Sequence, residues 1–127
     1  MSFILGEKEN LTLEDLRWKN RIVIYFPAKH HYPQFDLKSL EDELSERKII
    51  FLSIPEHIQS NTAVSFDKNY LNALRENLSS SIAEGNWILI GLDGGIKLNK
   101  KGEPDWDYIF RTIDSMPMRQ LEIKRIK

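Results

Sequence analysis

Trp87-Ile88-Leu89-Ile90-Gly91-Leu92-Asp93-Gly94-Gly95-Ile96-Lys97-Leu98 is the stretch that decides the fold of this 127-residue chain. An apolar run ends in Asp-Gly and a second apolar run begins at once, which is the strongest short-range hairpin signal a sequence carries. The reading is two short antiparallel strands joined at Asp93-Gly94-Gly95. Gly94 and Gly95 are free to take the positive φ that the primed hairpin turns need.

The segments on either side fall into place around that hairpin. Upstream, Ile22-Val23-Ile24-Tyr25-Phe26 is a continuous apolar run without alternation, the pattern of a strand buried on both faces, and Pro27 stops it. Leu37, Leu40 and Leu44 fall on one stripe and predict a helix near residues 34–47. Ile49 to Ile54 repeats the buried-strand pattern and ends at Pro55. Strand, helix and strand in about 30 residues make a βαβ unit, hence a parallel pair with a right-handed crossover. Ser65 or Asp67 can cap a second helix whose Tyr70, Leu71, Leu74 and Leu78 share a face. Downstream, Pro104 fits the first position of a helix carrying Trp106, Ile109, Phe110 and Ile113, which ends near Asp114 ahead of Pro117. Residues 1–10 read as a loose arm, followed by a short turn of helix capped by Thr12 and Asp15. Residues 118–127 read as a tail, either a docked amphipathic helix or a frayed end.

The order is β-α-β-α-β-β-α. The fold class is therefore α/β, thioredoxin-like, with a mixed four-stranded sheet flanked by helices. Residues 1–127 suit one domain with its core at about 11–122.

Composition narrows the function classes. The formal net charge of −1 gives no general attraction for nucleic acid or anionic membrane. No apolar run approaches the ~20 residues of a membrane span. Glu7, Lys8 and Glu9 break up the short apolar start before any signal-peptide core can form, so the expected location is the cytoplasm, or export for a chain already trimmed of its signal. With no cysteine, disulfides, thiol catalysis and thiolate metal sites are excluded together.

Two late motifs carry a family resemblance. Ile90-Gly91-Leu92-Asp93-Gly94-Gly95-Ile96-Lys97-Leu98, followed by Ile113-Asp114-Ser115-Met116-Pro117-Met118-Arg119 and Glu122, resembles the signature of the P-DUDES domain, a thioredoxin-like family of unknown function. Arg17-Trp18-Lys19-Asn20-Arg21 and Ser45-Glu46-Arg47 resemble its segments before the first strand and at the end of the first helix. The resemblance spans residues 11 to about 122. It implies a thioredoxin-like fold, occurrence in bacteria, and no established activity. The sequence departs from any redox relative: the loop after the first strand reads Pro27-Ala28-Lys29-His30-His31-Tyr32-Pro33, without cysteine, and Asn86 precedes Trp87 where thioredoxins carry proline.

This topology sorts the polar residues to two poles. Lys29, His30, His31 and His57 fall at the pole where redox relatives keep their thiol, with Lys29 beside a helix start that favours anions. A zinc or anion site is the sharp reading of that loop; adjacent histidines seldom share one metal and no fourth ligand stands out, so solvated histidines are the default, with no metal or cofactor expected. At the opposite pole, Arg17, Lys19, Arg21, Asp93, Lys97, Asp114 and Arg119 converge. One reading is a packed corner filled by Trp18, Met116 and Met118, with Asp93 or Asp114 paired to Arg21, Arg111 or Arg119. The other is a patch that recognises another protein or a small anion. The expected function is a non-redox binding or accessory module with no catalytic residues. The alternative is a thiol-independent, peroxide-related oxidoreductase using Lys29-His30-His31-Tyr32. Oligomeric state is not legible.

Overall fold

The computed structural model describes residues 12–29, 35–54, 66–79 and 84–126. Its elements are α1 (Leu13–Leu16), β1 (Arg21–Phe26), α2 (Glu41–Glu46), β2 (Ile49–Ser53), α3 (Lys68–Leu78), β3 (Asn86–Ile90), β4 (Ile96–Lys101), α4 (Trp106–Asp114) and α5 (Pro117–Ile126). The sheet order is β2-β1-β3-β4, with β1 parallel to β2 and the other pairs antiparallel. This is the expected α/β arrangement, extended by a helix at each end.

The unalternating strands are explained by two apolar layers. Ile22, Ile24, Phe26, Ile50, Leu52, Ile88 and Ile90 point to one side and pack with Leu71 and Leu74 of α3. Val23, Tyr25, Ile49, Phe51, Trp87 and Leu89 point to the other and pack with Leu44 of α2 and Ile109, Phe110 and Ile113 of α4. Side chains of a strand alternate between faces, so a strand covered on both sides is apolar throughout. Only β4, at the sheet edge, is mostly exposed.

Capping residues set the helix ends. The Asp67 carboxylate accepts the Asn69 and Tyr70 amides at 3.1 and 3.3 Å and starts α3. The Thr12 amide donates to the Asp15 carboxylate at 2.9 Å in α1, and the Leu13 amide donates to the Tyr70 hydroxyl at 2.8 Å, tying α1 to α3. Ser65 and residue 34, named above as cap and helix start, lie outside the described residues.

Three details differ from expectation. The helix foreseen from residue 34 is only α2; Asp36 and Ser39 bond each other's side chain and backbone and hold residues 36–40 in turns, competing with helix. Pro104 stands before the helix, because Asp105 takes the cap and accepts the Tyr108 amide at 3.2 Å. The hairpin closes with a three-residue loop instead of a two-residue turn: the Gly91 amide donates to Gly95 O at 2.9 Å and the Gly94 amide to Gly91 O at 3.0 Å. Of the two loop-end glycines only Gly94 has positive φ (85°), as expected where a tight turn is followed by a left-handed residue. The tail is helical, one of the two outcomes the sequence allowed: Pro117 ends one helix and opens the next. No helix among the described residues is long and apolar enough to cross a membrane.

Candidate functional site

β1 begins, the hairpin turns, and α4 ends at the same pole. The Trp18 amide donates to Leu92 O at 2.6 Å, and the Arg17 side chain lies 3.5 Å from where a Cβ on Gly94 would stand. The interior of this pole is ionic. Arg21 and Arg119 are each 1% exposed, and Arg47 is nearly as buried.

Each guanidinium is held by several acceptors. Asp114 receives Arg47 through Nε at 3.0 Å and Nη2 at 2.8 Å, and Arg119 through Nε at 3.0 Å. Arg119 Nη2 reaches Glu46 at 2.6 Å and Nη1 reaches Glu46 O at 3.2 Å and Glu122 at 3.4 Å. Arg21 grips Glu122 with both terminal nitrogens at 3.3 Å and donates to Arg47 O at 2.8 Å. Arg47 also lies over the Phe110 ring at 4.6 Å. Planar forks engaging carboxylates in this way need arginine specifically. The network ties α2, β1, α4 and α5 together.

The residues foreseen here thus divide. Arg21, Asp114 and Arg119 are brought together as mutually paired groups in the interior. Asp93 and Lys97 pair at 3.0 Å on the surface, and Asp93 also accepts the Gly95 amide at 2.9 Å, which together hold its carboxyl below the usual range, the backbone bond first. Asp93 therefore works inside the hairpin loop and pairs with lysine rather than arginine. Arg17 and Lys19 stay exposed, with Arg17 3.3 Å from Glu14. Sequence reasoning did not single out Arg47 as a partner of Asp114; no local spacing links residues 67 apart.

Burial pushes the Asp114 carboxyl upward, but hydrogen bonds from Arg47 and Arg119, with their charges, outweigh it and hold the group below its ordinary value of 3.8. A carboxyl depressed in the folded state contributes stability above its unfolded pKa, and that contribution is lost as pH falls through the lower folded value. Asp114→Asn is expected to flatten the dependence of stability on pH as the pH falls below the ordinary carboxyl value of 3.8, measured by urea titrations at several pH values. An unchanged slope would remove Asp114 from the ionic core's pH response.

The surface over this core is apolar in an unexpected way. Trp18 and Met118, which fill the corner in the packed-corner reading, are 58% and 44% exposed; Met116 does pack inward. Trp18 also has φ 69°, in the left-handed region that a bulky residue rarely enters. It is the third residue of a tight turn, closed by the Lys19 amide donating to Leu16 O at 2.9 Å, with Arg17 at φ −56° and ψ 135°. That is the geometry of a type II turn, whose third position ordinarily takes glycine. The sign available in the sequence is a single aromatic set in the polar run of Arg17, Lys19, Asn20 and Arg21. A cavity of about 50 Å³ beside this turn, lined by Leu13, Arg17, Ile22, Ile90 and Gly94, is far below the roughly 300 Å³ of a small-molecule site.

At the other pole Lys29 is exposed, while His30, His31, His57 and Tyr32 lie outside the described residues. Tyr25 is fully buried there, with its hydroxyl unpartnered among the described residues; burial first, and the Glu103 charge second, push it up to about 12, so it is a neutral phenol. Among the described residues no three His, Asp or Glu side chains form a metal-binding group.

Residues 12–122 match the family described as Domain of unknown function (DUF4174). No curated protein matches the chain. Among solved structures, the reduced 2-Cys peroxiredoxin of Plasmodium vivax is similar, with a TM-score of 0.54 and 16% identity, covering 87% of this chain and 85% of that one. At that identity the likeness shows a common thioredoxin-like fold and nothing of activity.

Proposed function

The chain belongs to that family of unknown function, and from this premise we propose that it is a non-redox binding module whose recognition surface is the pole bearing Trp18. The observation that carries the reading is the placing of exposed apolar side chains. Among the described residues the large hydrophobics that remain exposed are Trp18, Ile96, Met118 and Leu121, and all four belong to segments that meet at this pole. Tryptophan and arginine are among the residue types enriched at binding hot spots, and Arg17 lies 5.7 Å from the Trp18 ring. A left-handed tryptophan that buries little of itself is backbone strain without a packing return, and such strain collects at functional sites.

The ionic core beneath supports this reading as a rigid platform. It also moves the recognition role away from Arg21, Asp114 and Arg119 and onto Arg17, Trp18 and Lys19. Residues Asp93-Gly94-Gly95 and Met116-Pro117-Met118-Arg119 support a narrower placement among P-DUDES domains. The absence of cysteine removes the chemistry by which a peroxiredoxin-like relative would act.

Trp18→Gly tests the reading. Glycine relieves about 1–2 kcal/mol of left-handed strain while losing a partly exposed ring and gaining unfolded-state entropy, so stability should change by no more than about 1 kcal/mol. Amide-resolved NMR against fractionated cell lysate should show wild-type perturbations confined to residues 16–20, 92–97 and 116–121, and none with Trp18→Gly. Perturbations centred on residues 26–29 and 84–86, or surviving in the variant, would overturn it.

A further inference from the structure

The sheet offers a second surface. β4 ends the strand order, and among the described residues it pairs only with β3, leaving one row of its backbone donors and acceptors unpaired. Its side chains are exposed on both faces apart from the half-buried Leu98. Lys97, Lys100 and Lys101 make half of its six residues basic. We propose that this edge accepts an extended acidic segment of another protein as a fifth strand, independently of the Trp18 surface.

Charge decides the occupant. Lysine on an edge strand guards against pairing with further copies of the same chain. If β4 paired antiparallel with itself over its full length, residue 96 would face 101 and Lys97 would face Lys100, setting like charges directly opposite; a parallel in-register pair would set each lysine beside its own copy. A second copy is therefore disfavoured, and Lys100 and Lys101 favour a strand bearing Asp or Glu, whereas Lys97 is already paired with Asp93 at 3.0 Å. The register shifts between Ile90 and Leu89, which pair with Ile96 and Leu98, so Lys97 stands at the irregularity and Ile96 falls on the other face from Leu98. Beyond it Asn99 and Lys101 share one face and Leu98 and Lys100 the other, where Leu98 packs toward the α4 side and Lys100 lies 5.8 Å from the Tyr108 ring. The fitting partner pairs along residues 98–101 and carries carboxylates beside Lys100 and Lys101. Backbone bonds would supply the affinity and these charges the selectivity.

The probes are three capped heptapeptides: alternating Glu and Val, alternating Lys and Val, and the Glu–Val sequence with alternate amides N-methylated. With the full chain, the Glu–Val peptide should shift and protect from hydrogen exchange the amides of residues 98–101, more weakly as salt rises. Lys101→Glu should weaken it about threefold to fivefold, in line with one surface charge pair. The N-methylated peptide should lose binding because it cannot complete the ladder. Equal binding of the Lys–Val or N-methylated peptide, no response at millimolar Glu–Val peptide, or concentration-dependent shifts at 96–101 in protein alone would overturn the proposal. Trp18→Gly should leave this binding intact, which separates its failure from that of the first surface.

Discussion

Arg119→Ala is expected to lower stability by about 3 kcal/mol, read as a fall in the urea midpoint at unchanged slope. The side chain is almost wholly buried, and it alone touches Asp114, Glu46 and Glu122 together. Removing it takes the guanidinium from Glu46 and leaves Asp114 with Arg47 and Glu122 with Arg21 around a void, which costs more than the net worth of the lost ion pairs. Glu46 and Asp114 are partly exposed, and water there keeps the loss toward the lower end of the range for broken buried pairs. Arg119→Lys should recover only part of the loss, because a single ammonium cannot reproduce the fork that spans Asp114 and Glu46. A drop below about 1 kcal/mol for the alanine variant would show that α5 is held by something other than this network.

The dependence on arginine follows from the character of α5. Its inward residues are Arg119 and Glu122, while Met118 and Leu121 face water. A helix with its polar side inward cannot be docked by the hydrophobic effect alone, so the ion pairs hold it and leave Met118 and Leu121 exposed.

Gly85→Ala is expected to cost at least about 3 kcal/mol for a different reason. At φ 76° the backbone is left-handed, and an added Cβ would stand 2.7 Å from Phe26 O and 2.8 Å from the Ala28 amide nitrogen. Both neighbours are backbone at the end of β1, so neither can rotate away; left-handed strain of about 1–2 kcal/mol adds to the overpacking. Gly102 is the internal control, with φ 89° and open space around its missing Cβ. Gly102→Ala should lose only the backbone part, roughly 1–2 kcal/mol. Equal losses in urea unfolding for the two variants would show that the contact with Phe26 and Ala28 is not tight.

The sheet was legible because its signals are local. The run Ile22–Phe26 is apolar at every position and Ile49–Ile54 at all but Ser53, a pattern that marks a doubly covered strand, and the Asp-Gly turn set the strands beside each other. Asp67 and Thr12 announced their helices because a cap acts within three residues. Short-range competition misled at two places: Asp36 and Ser39 unmade the first turns of α2, and Asp105 displaced Pro104 from the helix start.

The character of the signature pole was a different matter. Topology could bring Arg21, Asp93, Asp114 and Arg119 to one end of the sheet. It could not say that Arg21, Asp114 and Arg119 face inward and Trp18 outward, because charge predicts exposure and an aromatic ring predicts burial until partners are in place. Arg47 and Glu46 were needed to complete the ionic core, and they meet Asp114 and Arg119 only through the packing of α2 against α4 and α5. The sequence by itself determined the order of the elements, the two-sided core and the exclusion of thiol chemistry, since period, turn chemistry and composition are properties of neighbouring residues. Only the tertiary structure decided which charges are buried and which hydrophobics are left in water, since burial is set by contacts between residues far apart in the chain.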